Sequence, residues 1–439
     1  GAQSRLLFDP QGGGQSFLTI GGSGAGPFRP LEAMPQPRQT WFLVTDTTGF
    51  RPGRYAEVRQ ENGDWDSNPA SWAQKAVGHV SKIVHVSGDT VFLEEGFRYA
   101  PDSLLQPEAR PLNMRKGVRI QCLKLKRVDQ PGTSTGYHIR FTMAADCLVE
   151  GVESEKSLGS HIIADISTHL SFRHNYLHDA YEFTGSGTRG YGVTLNNHST
   201  LCLVENNRFR RLRHAMMVKY GANGNVFGYN HSVEVLRAEP ISDYSADISV
   251  HGHYPFANLF ESNEVEMIMV DHYWGPGGPD NVFFRNRVNG FGVYVTNGSP
   301  VTDQQHFIGN EVTNSNLFYG QWFIQGQGHT LKGNNVQGDC TPPGTEQIPE
   351  ASLYLPGAPP YWAPQQSFPS QGYPQELDAL DIPAAWRFAK GLGAVCSDSE
   401  ATPPPSLGLG LASDPWLPWP NPCSGALQLP GVQGKWTLY

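Results

Sequence analysis

The stretch LSFRHNYL, Leu170–Leu177, places an apolar residue three positions before an Asn, and six later segments repeat that pattern. They are CLVENNRF (Cys202–Phe209), NVFGYNHS (Asn225–Ser232), NLFESNEV (Asn258–Val265), NVFFRNRV (Asn281–Val288), QHFIGNEV (Gln305–Val312) and HTLKGNNV (His329–Val336). The seven Asn are Asn175, Asn207, Asn230, Asn263, Asn286, Asn310 and Asn334, spaced by 32, 23, 33, 23, 24 and 24 residues. An eighth copy, CLVEGVES (Cys147–Ser154), has Val152 in the place of the Asn. A recurring period marks a solenoid whose units stack because none can bury its apolar face alone. A period of about 22–25 residues holds three short strands and three turns, with coils about 4.8 Å apart. The fold expected is therefore all-β, a right-handed parallel β-helix of about eight to ten coils.

An Asn at the same turn of every coil can bond its side-chain amide to the next Asn and to turn backbone, which satisfies buried polar atoms as a ladder. Phe172, Val204, Phe227, Phe260, Phe283, Phe307 and Leu331 are expected to stack inside. A second column lies five residues before the ladder: Cys147, Leu170, Cys202, Asn225, Asn258, Asn281, Gln305 and His329. Cys147 and Cys202 read there as packed thiols. Of the six Cys, Cys340, Cys396 and Cys423 lie in a turn-rich region where a disulfide is possible, with connectivity open; no CxxC pair suggests zinc or a redox motif.

Composition agrees with many turns between short strands: 439 residues contain 49 Gly and 34 Pro, and only 17% are charged. A net charge of −9 argues against a nucleic-acid partner, whose phosphates need a basic surface. No apolar run approaches the roughly 18 residues of a membrane span. No signal peptide opens the chain at Gly1, as expected of a cytosolic chain or a trimmed mature one. Residues 1–110 lack the ladder. Trp41–Gln60 and Ser81–Phe97 alternate apolar and polar residues around Gly turns, so this region is expected to be a small β-rich cap with antiparallel strands. An amphipathic helix is also expected at that end. Residues 111–340 are the β-helix, and 341–412 a Pro-rich covering segment.

The Asn ladder and its period resemble the pectate-lyase-like superfamily of β-helix proteins over roughly residues 110–340. The segment from Ser352 to Arg387 looks like the C-terminal covering segment of some bacterial β-helix proteins. Leu417–Tyr439, LPWPNPCSGALQLPGVQGKWTLY, resembles the opening of a type IX secretion C-terminal sorting domain, taken as residues 413–439. Trp419, Pro420, Asn421 and Pro422 fit its turn and Trp436–Tyr439 its strand; the following Asp-x-x-Gly is missing. That resemblance implies a Bacteroidota-type bacterium, a type IX machinery or surface attachment as partner, and a place outside the cell or on its outer surface.

Two long coils carry enlarged loops, Asp179–Gly192 and Val235–Ile248, with a short coil between them, an arrangement that makes a cleft suited to a polymer. Counting back from each ladder Asn aligns Tyr191–Asn197, His214–Tyr220, Asp247–His253 and Val270–Pro276 as its floor. With Ile248 and Val250 inward, Asp247, Ser249, His251 and His253 face outward. Lys, Arg, His, Tyr and Asp together suit β-elimination on a uronate polymer, which needs a base, a carboxylate-neutralising cation or metal, and an acid. Lys219 or His251 is the expected base, Arg189 or His214 the carboxylate partner and Tyr254 the acid. Tyr191, Tyr220, Trp274 and Asp247 are expected to bind substrate. His253, Asp271 and His272 are possible metal ligands; VDHYWG (Val270–Gly275) resembles the Asp-His stretch of pectate lyases, which implies calcium, although their Arg-x-Pro-x-x-Arg motif is missing. No cofactor is required, and Ca2+ or another divalent ion is possible.

The function expected is that of a secreted or surface carbohydrate-active protein that binds and cleaves an acidic polysaccharide or other surface glycan. The second reading is a non-catalytic adhesin, scaffold or assembly component. The third is a glycoside hydrolase using Asp243, Asp247 or Asp271, placed lower because the Asp-Asp pair of β-helix polygalacturonases is missing. The oligomeric state is left open.

Overall fold

A computed structural model describes residues 4–129, 136–184, 187, 189–236, 245–296, 301–316, 318–362, 367–369, 371–372 and 381–396. The expected sorting domain, residues 413–439, and Asp243 lie outside them.

The chain is a right-handed parallel β-helix. One face is a nine-stranded parallel sheet running from Arg119–Gln121 to Thr330–Lys332, one strand per coil. The other two faces join into one larger sheet, because Glu264–Val270 and Arg287–Val295 each run through both. The ladder forms at the turn between the first two faces. Each Asn donates Nδ2–H to Oδ1 of the Asn in the next coil, at 2.9–3.0 Å from Asn175 through Asn334. The same Nδ2 reaches back to a carbonyl, as Asn207 does to Phe172 at 2.9 Å. Immediately before every ladder position the backbone is left-handed: Gly151, His174, Asn206, Tyr229, Ser262, Arg285, Gly309 and Gly333 all have φ between 51° and 66°. Such a residue turns the chain sharply and costs about 1 kcal/mol or more when it is not Gly; the Asn bonds hold it there.

The second column is also a ladder. Asn225, Asn258 and Asn281 pass amide bonds along at 2.9 Å, 2.9 Å and 3.0 Å to end on Gln305. The Gln305 backbone N–H then donates to His329 Nδ1. Cys147 and Cys202 sit in this column as buried free thiols. Inside, Phe227, Phe260, Phe283 and Phe307 stack with centroids 5.0, 5.2 and 4.7 Å apart, each fully buried.

The N-terminal region divides in two. Ser4–Phe8 and Leu18–Gly21 pair in parallel with Leu123–Arg127 and Ile139–Thr142, and so cover the first edge of the solenoid. Residues 24–113 contribute an antiparallel sheet of seven strands. That sheet packs against the flank of the solenoid, several coils in, through Arg98 to Thr200 (3.1 Å), His198 to Glu57 (2.8 Å) and Asn223 to the Gly78 carbonyl (3.1 Å). The expected helix does not cap this end: the α-helix among the described residues, Pro383–Ala389, belongs to the covering segment. That segment lies on the nine-stranded face, where Leu353, Tyr354, Trp362 and Ile382 pack on Leu203, Tyr229, Leu259 and Phe284. Arg387 clamps it by donating to Asn206 Oδ1 (2.8 Å) and its carbonyl (2.7 Å). A disulfide, Cys122–Cys396, ties its far end to the first coils. Among the described residues, no helix is long and apolar enough to cross a membrane.

Candidate functional site

The third face is open to the site. Its strands are β1 (Ser160–Asp165), β2 (Tyr191–Asn196), β3 (His214–Lys219), β4 (Ile248–His251) and β5 (Glu264–Val270). Val193, Leu195, Met216, Val218, Ile248 and Val250 point into the core, Ile248 and Val250 as expected from the alternation. The register corrects two floor strands: Met216 pairs with Ile248, one step from the expected match of His214 to Asp247, and Val250, not Asp247, pairs with Val270, so β5 ends where the expected strand Val270–Pro276 began.

This register lines up a row of polar side chains at the ends of the strands. Asp165 pairs with Asn196, and Lys219 with His251. The pairs Leu195–Val218 and Val250–Val270 place Asn196 beside Lys219, and His251 beside Asp271. Asp165, Asn196, Lys219, His251 and Asp271 thus follow one another along the solenoid axis, about 4.8 Å apart. Asn196 Nδ2 donates to Asp165 Oδ1 at 2.6 Å. His251 Nδ1 lies 2.5 Å from Asp271 Oδ2, and Asp271 Oδ1 accepts from the Tyr273 amide at 3.1 Å. Asp271 is fully buried, while His251 is partly exposed. A carboxylate bonded to one ring nitrogen fixes the tautomer and leaves the other nitrogen for chemistry. Burial lowers the pKa of the Lys219 ammonium, with the Asp165 charge acting the opposite way. Burial raises the Asp165 carboxyl, against Asn196, Arg140 and Lys219.

The N-terminal subdomain walls this row. Its loop from Asn62 to Val77 reaches the strand ends, with Asn68 donating to the Tyr273 carbonyl (2.9 Å) and the Tyr220 hydroxyl donating to the Gln74 carbonyl (2.7 Å). Gly221 makes that approach possible: a Cβ there would stand 1.7 Å from the Ala76 carbonyl oxygen, at a φ of +67°. Trp72 meets Tyr220, His253 and Trp274 edge-on at 6.2, 5.0 and 5.5 Å, and Lys219 Nζ lies 5.6 Å from its ring centre.

The expected site residues fall into three groups. Lys219, His251 and Asp271 share the row. Tyr220, His253 and Trp274 border it at the wall; His253 is fully buried, stacks on Trp274 (6.1 Å), and has Asp66 3.6 Å from Nε2. Burial lowers the His253 pKa and raises that of Tyr220 to about 12. Tyr254 packs against Trp65 at 4.8 Å, with its own pKa raised by burial. His272 is turned to Thr296 Oγ1 at 2.7 Å, while Asp271 is engaged with His251, so His253, Asp271 and His272 do not converge as a ligand set. The remaining residues are not part of the row. Tyr191 and His214 begin β2 and β3, where their rings meet edge-on at 4.7 Å and His214 Nδ1 lies 2.9 Å from the Ala246 carbonyl. Arg189, half-buried two residues before Tyr191, is at that same opening end. Asp247 is buried and fully used: Ser232 Oγ donates to Oδ1 at 2.6 Å, and the Glu266 and Met267 amides donate to Oδ2 at 3.0 and 2.9 Å. Burial, then the Glu266 charge, pushes its pKa up to about 7. Asp165, Asn196 and Trp72 were missed. Alignment of the coils from the end of each strand would have exposed the first two; nothing local marks Trp72.

Another acidic group, Glu153, Glu155 and His178, could in principle hold a cation. Lys124 and Lys126 already occupy its carboxylates, at 2.5 Å for Lys124 to Glu153, which leaves it a salt-bridge cluster.

No family model matches the chain, and no curated protein matches it. Among solved structures it is similar to the tailspike protein gp49 from Pseudomonas phage LKA1, at a TM-score of 0.52 and 13% identity, over 70% of this chain and 50% of that one. The tailspike gp61 from Pseudomonas phage phi297 follows at 0.45 and 11%, over 75% and 61%. Pectate lyase C from Erwinia chrysanthemi gives 0.22 and 13%, over 50% and 59%. The likeness to the LKA1 tailspike agrees with the class that the sheets define, the parallel β-helix. The chain spans about half the length of the LKA1 tailspike.

Proposed function

We propose that the protein binds an acidic polysaccharide along the Asp165–Asp271 row and cleaves it by β-elimination. The observation that carries this reading is the buried Asp271 bonded to His251, in register with Lys219. His251 takes the proton from the carbon next to the uronate carboxylate, and Asp271 stabilises the imidazolium. Lys219 faces the carboxylate as negative charge builds on it. The bond from the adjacent carbon to the leaving oxygen breaks as the C=C bond forms, and the imidazolium returns its proton to that oxygen. Atoms and charge balance without a separate acid. Hydrolysis fits the row less well. Its two carboxylates, Asp165 and Asp271, stand four coils apart, about 19 Å along the backbone, whereas paired glycosidase carboxylates lie about 5–9.5 Å apart. A location outside the cell suits this substrate, and the Cys122–Cys396 disulfide is of the kind that persists in oxidising surroundings.

The test is incubation of the whole chain with a panel of uronate polymers, with and without calcium, following the ultraviolet absorbance of the unsaturated product. Wild type is expected to produce it, and His251→Ala and Asp271→Asn to lose about 100-fold or more in rate. Silence across the panel, with polymer still bound, would leave a non-catalytic surface or assembly protein. Release of reducing ends without the absorbance would make it a hydrolase.

A further inference from the structure

The proposed function does not use Trp72, a residue of the N-terminal subdomain. It keeps 45% of its surface exposed although three aromatic rings meet it at steep angles, and Lys219 Nζ lies over its ring, 5.6 Å from the centre, at the rim of the row. A half-exposed Trp packed among three rings leaves an exposed part of its own ring against which the apolar face of a sugar can stack. Lys219 lies next to it and supplies a cation within reach of the same sugar.

We infer that Trp72 and Lys219 form one subsite for an acidic sugar, so that the N-terminal subdomain helps to select the substrate: Trp72 takes the ring face and Lys219 the carboxylate. This rests on the reading of the row as a glycan site, but not on cleavage. The packing gives the subsite its geometry. Trp274 can lie against the wall because residue 252 is Gly, where a Cβ would come within 2.5 Å of the Trp274 Cβ. The loop carrying Trp72 is anchored on both sides, at Asn68 to Tyr273 and at Gln74 to Tyr220.

The experiment measures binding by affinity electrophoresis in gels containing polygalacturonate or its fully methyl-esterified form. Trp72→Ala is expected to weaken binding to polygalacturonate roughly five- to tenfold, Trp72→Phe to restore most of it, and Trp386→Ala, an exposed Trp on the covering segment, to change nothing. Lys219→Met should abolish the preference for the free acid over the ester. If both residues hold one sugar, the Trp72→Ala/Lys219→Met double variant loses less than the product of the single losses. Losses that multiply, or Trp72→Ala binding like wild type while its near-ultraviolet circular dichroism shows the fold intact, would overturn the inference. So would wild type that binds neither polymer. Binding that follows the expected pattern without any elimination product would overturn only the lyase reading.

Discussion

At the residue scale, the ladder shows what a single Asn does in this fold. Asn263 receives two bonds on Oδ1, from the Asn230 backbone amide and side chain, and donates Nδ2–H to Asn286 Oδ1 and to the Phe227 carbonyl. Removing it breaks these four buried bonds, leaves the Asn230 backbone N–H without its acceptor and Asn286 Oδ1 with only the Asn263 backbone N–H, and leaves left-handed Ser262, at φ 51°, without the bonds that fix its turn. Each stranded buried group costs about 1–3 kcal/mol. Asn263→Ala is therefore expected to destabilise the chain by about 3 kcal/mol or more, and an exposed change such as Leu104→Ala by less than about 0.5 kcal/mol. Urea unfolding followed by circular dichroism reads both. Comparable losses from the two would mean that the ladder carries no special stability. The ladder was legible because one residue type recurs with a period. The left-handed residue before it was not, since Gly, His, Asn, Tyr, Ser and Arg all fill that position and share no side-chain chemistry.

At the scale of the strand, the inward set was legible and the register was not. Ile248 and Val250 alternate as β-strands require, so their direction follows from sequence. Which residue of the next coil they oppose depends on the length of the turn between face and ladder. That turn is longer after β5, where His272–Gly278 intervene, and counting back from Asn286 therefore stops short of the strand. The error hid the His251–Asp271 contact, and with it the order of the row. Its consequence for chemistry can be tested by pH. Lys219 works as an ammonium, and burial lowers its pKa below the ordinary 10.5. The charge is present below that folded-state pKa and is lost as pH rises through it, so the elimination rate should fall on the alkaline side earlier than an ordinary lysine would cause. Lys219→Arg keeps its charge throughout and is expected to extend that alkaline limb, whatever it does to the maximum rate. A profile with the same alkaline limb in both proteins would remove Lys219 from the carboxylate-binding role.

At the scale of the whole molecule, the N-terminal sheet is docked by charge. Glu57 accepts from His198 and Arg110, and Glu95 is bonded to Ser81 with His169 3.4 Å away, all across or next to the seam with the solenoid. These partners are scattered between residues 57 and 198, follow no local period, and could not be assembled from the sequence. Alternation around Gly turns in Trp41–Gln60 and Ser81–Phe97 revealed a β-rich subdomain, but not the side of the solenoid it lies on. The seam makes the docking sensitive to pH, and the sign follows from the shifts. Burial alone would raise the pKa of Glu95, but the His169 and Ser81 contacts outweigh it and lower it from 4.5 to about 2. Glu57 is lowered in the same way, His198 and Arg110 outweighing burial. A depressed carboxylate stabilises the folded state above the unfolded value of 4.5, and that stability is lost as pH falls through the folded value, about 2 for Glu95. His169 behaves oppositely: burial opposes its charge, but Glu95 raises its pKa above 6.5, so its contribution is complete below 6.5 and is lost as pH rises through the raised value. The seam is therefore strongest between these limits, and its acid loss falls between about 4.5 and 2. Glu95→Gln removes the titration and leaves His169 and His79 facing an uncharged amide. It is expected to lower stability near neutral pH by about 3 kcal/mol, the usual cost of breaking a buried pair, and to flatten the fall in stability between pH 4.5 and 2. Thermal unfolding of wild type and Glu95→Gln across this range, followed by circular dichroism, reads the difference. An acid limb as steep in Glu95→Gln as in wild type would place the acid sensitivity elsewhere than at this carboxylate.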